Sequence, residues 1–162
     1  MTIDQKTFWR RVPRFQVLAS ILCSLLIGFV LWRMTLRSDA AETTFDNLFL
    51  LFYLLLTLCS YLGALWLASR YCNLSSTEAI PSLGFVSLAG TSVPFIVNSI
   101  HIWFISYQPE WRWFIRHSAE AMVILNVGML FMMTLLAGLG FLVTKFSQAM
   151  AKIRKSGEVP GI

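Results

Sequence analysis

Apolar residues form four long runs along the chain, and polar and charged residues collect in the short segments between them. The runs cover about residues 15–32, 47–69, 80–106 and 119–144. A helix needs about 20 predominantly apolar residues to cross the hydrocarbon core of a bilayer, and each run is close to or above that length. The pattern predicts an all-α protein whose single domain, residues 1–162, is a bundle of four transmembrane helices.

Composition points to the same class of protein. Hydrophobic residues make up 57% of the chain and charged residues 13%, whereas soluble domains have roughly 45–50% and about 25%. The mean hydropathy of +0.68 is correspondingly high. We therefore expect an integral membrane protein with a large surface in contact with lipid.

The basic residues indicate an orientation in the membrane. The net charge is +5, and nine of the thirteen lysines and arginines fall on one side of the predicted helices. Because Lys and Arg collect on the cytoplasmic side, both termini are expected in the cytoplasm and the segment 98–118 outside it. The basic residues lie beside the apolar runs, so they account for orientation, and no nucleic-acid partner is expected.

Two rows of small residues at four-residue spacing indicate close helix contacts. One row is Ser20, Ser24 and Gly28, and the other is Ser60, Ala64 and Ala68. Small residues allow helix backbones to approach closely in lipid. Such a row marks either a contact within the bundle or an interface with another subunit, and we predict the second for the Ser20, Ser24 and Gly28 row.

The membrane interior offers little reactive chemistry. No Asp, Glu, Lys or Arg lies near the middle of a run, and Asn98 and Asn126 are the main polar residues there. Ion pumps and coupled transporters usually need buried charges. Hydrolase, metalloprotease and phosphate-binding motifs are absent, and the three cysteines are isolated. We predict neither an enzymatic activity nor a metal site.

The segment NSIHIWFISYQPEWRWFIRHS is the main candidate for a binding site. Neutral imidazole is a haem ligand, and arginines suit the carboxylates of a planar cofactor. Aromatic residues also collect at the headgroup level of any membrane protein, so an ordinary aromatic belt is the competing interpretation. The candidate haem-binding residues are His101, Trp103, Tyr107, Trp111, Arg112, Trp113, Arg116 and His117.

The run VPFIVNSIHIWFISYQP, residues 93–109, resembles a segment of the CcmC family, the haem-handling membrane proteins of system I cytochrome c maturation. The run DNLFLLFYLLLTLCSYLGALWLASR and the last helix with its basic tail resemble neighbouring parts of that family, so the similarity covers about residues 46–150. Within the first run, the residues on the family pattern are Pro94, Ser99, Trp103, Gln108 and Pro109.

The chain also departs from the CcmC pattern. Tyr107 stands where the family has its haem-ligating histidine, and AAETTFD replaces the family's tryptophan-rich loop. Two functions follow from the resemblance. The first is a non-catalytic accessory or assembly subunit of a respiratory, photosynthetic or cytochrome-related complex, with other integral membrane subunits as partners. The second is a factor that binds haem or a cytochrome through the outer loop. Either one implies a location in a bacterial inner membrane.

Overall fold

The chain forms a bundle of long helices. The structure is a computed structural model and describes residues 5–38, 46–74, 79–105 and 111–157. Within these ranges there are five helices and no strand. Four of them contain spans of 23, 25, 23 and 40 residues that are apolar enough to cross a membrane. The predicted all-α membrane bundle is confirmed. The helices are α1 (Gln5–Arg11), α2 (Arg14–Ser38), α3 (Asp46–Tyr71), α4 (Ala79–Ile105) and α5 (Trp111–Gly157).

The four long helices form a closed ring. Each packs against the next along the chain, α5 returns to contact α2, and α2 and α4 also meet across the centre. One end of the bundle, here the basic end, carries Arg11, Arg14 and Arg70. The opposite end, here the histidine end, carries His101 and His117. The outer surface exposes large apolar side chains, such as Leu48 and Phe104, which fit contact with lipid.

The row of small residues in α2 is buried inside the bundle. Ser20 and Ser24 are 0% exposed, and the hydroxyl of Thr57 in α3 lies 2.8 Å from the backbone oxygen of Ser24. A Cβ atom at Gly28 would lie 2.9 Å from the Thr57 hydroxyl and 3.1 Å from the Cα of Leu54. Because the chain's own helices already cover these residues, the predicted interface with another protein at Ser20, Ser24 and Gly28 is wrong.

A second close contact joins α3 to α4. A Cβ atom at Gly90 would lie 2.7 Å from the ring of Tyr61, and the Tyr61 hydroxyl lies 2.7 Å from the hydroxyl of Thr91. Pro94 has no backbone N–H, so the Gly90 carbonyl lacks its usual partner one turn later. The Tyr61 ring therefore packs on the turn of α4 that proline weakens.

Side chains near the N-terminus close the basic end. Arg11 donates hydrogen bonds to the backbone oxygens of Ser69 at 3.2 Å and Arg70 at 3.1 Å. These oxygens belong to the last turn of α3, where carbonyls have no partner within the helix and a cation is favourable. Gln16 donates to the backbone oxygen of Leu74 at 2.9 Å. The short helix α1, which the apolar pattern did not indicate, is thereby fixed to the end of α3.

Helix α5 is much longer than the apolar run that predicted it. It has 47 residues, whereas about 20 suffice to cross the hydrocarbon. Arg, Lys and Glu end the apolar run, but they are good helix formers and do not end the helix. A Cβ atom at Gly140 would meet the side chain of Phe15 near the start of α2. Residues 141–153, past that contact, are all exposed.

We expect Gly28→Ala to destabilise the bundle, because its methyl group would press on the α3 backbone at Leu54. Overpacking of this kind typically costs about 1–3 kcal/mol. Gly63→Ala is the matched control, since a Cβ atom there meets nothing within 4 Å and alanine favours the helix. Thermal unfolding of both variants in one detergent measures the difference. Equal unfolding midpoints would contradict the close α2–α3 contact.

Candidate functional site

His101 lies in the last turns of α4 and faces α3. Its Nδ1 atom is 2.8 Å from the hydroxyl of Tyr53, and its ring lies 5.0 Å from the ring of Phe49 between centroids. Tyr53 is fully buried and His101 is half-buried. The histidine therefore has one side held within the bundle, at the rim of the histidine end.

The hydrogen bond to Tyr53 has two forms with different chemical consequences. If the Tyr53 hydroxyl donates to Nδ1, the proton of neutral His101 is on Nε2, which then has no lone pair for a metal. If Nδ1–H donates to the tyrosine oxygen, Nε2 has a free lone pair. Histidines that bind metals generally donate their other ring N–H to an oxygen in this way. The site thus fits a structural role in the first form and a ligand role in the second.

Asn98 lies one turn below His101 and joins α4 to α2. Its amide nitrogen donates to the Thr35 hydroxyl at 2.6 Å and to the backbone oxygen of Leu31 at 3.2 Å. Asn98 is 0% exposed, and its side-chain oxygen has no hydrogen-bond partner among the described residues. Asn98 and His101 together form a polar line on the inner face of α4.

Sequence reasoning identified Asn98 and His101 but missed Tyr53, the partner of His101 in α3, and two further polar residues on the same face of that helix. Tyr53, Thr57 and Tyr61 recur at four-residue spacing, and all three are 0% exposed. Residues four apart lie on one face of a helix. A polar stripe inside an otherwise apolar run was therefore the sequence signal that marked the inner face of α3.

Trp103 lines a different part of the molecule. It borders an apolar groove between α4 and α5, together with Ser99, Phe114 and Ser118. The groove has a volume of about 240 Å³, which is smaller than the roughly 300–1,000 Å³ of pockets that enclose drug-sized ligands.

The remaining candidate residues lie on α5 or outside the described ranges. Arg112 and His117 are exposed, and Arg116 forms an exposed ion pair of 3.1 Å with Glu120. Tyr107 lies outside the described residues, as do the side chains of Trp111 and Trp113.

The described residues place His101 and Trp103 against different neighbours. Residues two apart on a helix do not face each other, and accordingly His101 contacts α3 while Trp103 borders α5. In the described part of the chain, no three His, Cys, Asp or Glu side chains are grouped to hold a metal ion. The haem site predicted from the sequence stays a prediction.

We expect Tyr53 and His101 to be energetically coupled. Removing the hydrogen bond through Tyr53→Phe should lower stability by about 0.6–1.7 kcal/mol, as found for hydrogen bonds between membrane helices. A double-mutant cycle with His101→Phe isolates the pair, and thermal unfolding in detergent measures it. Tyr71→Phe, at a tyrosine that is 78% exposed, is the control and should change little. Additive effects of the two substitutions would exclude the coupling.

Comparison with known proteins gives no relative: no protein-family model, no curated protein and no solved structure matches this chain.

Proposed function

We propose that this chain is a non-catalytic accessory or assembly subunit of a larger membrane complex. The observation that carries the proposal is that the polar side chains inside the bundle bind one another between helices. Tyr53 binds His101, Tyr61 binds Thr91, and Asn98 binds Thr35, so each pair joins two helices. These bonds hold a defined bundle, which suits a protein whose task is to hold other proteins in place.

The chemistry of the buried side chains supports the same role. Among the described residues, the buried polar side chains are amides and hydroxyls: Gln16, Asn98 and Asn126 with several serines and threonines. Uncharged groups of this kind form interhelical hydrogen bonds in lipid. Pumps, transporters and voltage sensors instead rely on acids and bases within the membrane.

The proposed complex is respiratory, photosynthetic or cytochrome-related, in a bacterial inner membrane. The resemblance of residues 46–150 to the CcmC family supports this choice, and it implies descent from a haem-handling protein. The nine basic residues at one side support an orientation with both termini in the cytoplasm and the tryptophan-rich segment outside it.

A second candidate function is haem handling in cytochrome c maturation, and one observation favours it. His101 is half-buried at the histidine end, and its Nδ1 atom is held by Tyr53. If Nδ1–H donates to the tyrosine oxygen, this bond would orient Nε2 toward a ligand. On this alternative, Tyr107 or His117 from the outer segment would contribute as well.

Purification from native membranes in mild detergent distinguishes the two functions. The accessory role predicts other membrane proteins in fixed stoichiometry, identified by mass spectrometry, and no Soret band that depends on this chain. Haem handling predicts a Soret band that His101→Ala, Tyr107→Phe or His117→Ala shifts or removes. A chain that purifies without other subunits and with stoichiometric haem would contradict the accessory role.

We expect reporters fused after Ser38 and Arg112 to be extracytoplasmic, since these sites adjoin the side with few basic residues. Reporters fused after Tyr71 and at the C-terminus should be cytoplasmic. An alkaline phosphatase reporter, which is active only outside the cytoplasm, measures the first pair, and a fluorescent protein measures the second. The reverse pattern would overturn the orientation and place the histidine end in the cytoplasm.

A further inference from the structure

The outer face of α5 carries an apolar stripe that continues past the bundle. Its residues follow one another at alternating steps of four and three, the spacing of a coiled-coil seam. Its large side chains are exposed, from 46% at Leu135 to 70% at Phe146. The stripe, here the α5 stripe, consists of Leu135, Leu139, Leu142, Phe146, Ala149 and Ile153.

Lipid alone does not cover the whole α5 stripe. At Gly140, α5 is level with Phe15, close to the start of α2. The helix then continues to Gly157, which is about 25 Å further at 1.5 Å per residue. Over this distance the α5 stripe stands beyond the membrane-spanning parts of the other helices, and large apolar side chains left in water are unfavourable.

The two flanks of the α5 stripe differ in charge. Lys145 and Lys152, seven residues apart, follow one flank, and Val143 and Met150, also seven apart, follow the other. In a parallel two-stranded coiled coil, each residue on the first flank meets the second flank of its partner. Lys145 of one copy would then lie beside Met150 of the other, and its alkyl stem would cover apolar surface without opposing another lysine.

We propose that the α5 stripe pairs with the same stripe of a second copy of this chain, as a parallel two-stranded coiled coil. Two copies inserted in one orientation are related by a two-fold axis along the membrane normal. This symmetry allows only a parallel pair in register, which is the arrangement that the flanks suit. An antiparallel pair would bring the lysine flanks together, and the membrane excludes it.

The pair does not depend on the accessory role, because it needs no other protein. The competing occupant is an anionic membrane surface, which basic amphipathic helices also bind. For that surface to cover the stripe, α5 would have to bend outward at the basic end. The helix instead continues without interruption, and no proline or glycine occurs between Phe141 and Ser156.

Cysteine cross-linking in the membranes of a bacterial host tests the pair with the chain expressed alone. Cys23, Cys59 and Cys72 are first replaced by alanine. Single cysteines are then introduced by Leu142→Cys or Ala149→Cys in the stripe. Thr144→Cys and Ala151→Cys, on the opposite face with the same spacing, are the matched controls. After oxidation with copper phenanthroline, we expect several-fold more disulfide-linked dimer from the stripe positions, since a disulfide requires Cβ atoms about 4 Å apart.

A charge placed in the stripe supplies the second measurement. Phe146→Glu in the Ala149→Cys background should reduce the cross-linked dimer several-fold and leave the thermal unfolding midpoint of the bundle unchanged, because this part of α5 lies outside it. Equal cross-linking at all four cysteine positions would show that the chains collide at random, and it would overturn the proposed pair. The pair would also be overturned if no dimer formed and if anionic lipid alone shielded Ala149→Cys from a water-soluble maleimide. Neither outcome affects the co-purification test of the accessory role.

Discussion

Hydrocarbon offers no hydrogen-bond partners, so a polar side chain within the bilayer is costly unless the protein supplies a partner for it. Helix α4 is where this chain meets that constraint. Its Asn98 binds α2 at Thr35, its Thr91 and His101 bind tyrosines of α3, and Asn126 of α5 approaches its Ser92 at 3.4 Å. The helix that proline weakens is therefore bonded to all three neighbours.

The sequence predicts the number and position of the spans well because membrane thickness sets a length that a run of apolar residues must reach. For the first three spans, the ends of the runs differ from those of α2, α3 and α4 by no more than six residues. The run 119–144 instead marks only the centre of α5. Charged residues stop an apolar run without stopping a helix, so hydropathy alone underestimates a helix that continues into water.

Neighbours are harder to predict than helices, because spacing identifies a face of a helix but not what covers it. The Ser20, Ser24 and Gly28 row indicates close packing correctly, yet only the fold shows that Thr57 and Leu54 of the same chain provide the contact. The candidate haem site has the same difficulty. His101 and Trp103 are near in sequence, and the helix turns them toward different neighbours, which a residue pattern shows only once the order of the helices is known.

Helix α5 joins the groove beside Trp103 to the far tip at Gly157 without a break. A continuous helix of this length can act as a lever. If a change at the histidine end tilts α5 by about 10° around its contact with Phe15, the tip moves by about 4 Å, given about 25 Å of helix beyond that contact. A small repacking on one side of the membrane is thereby converted into a displacement on the other side that a bound protein could sense.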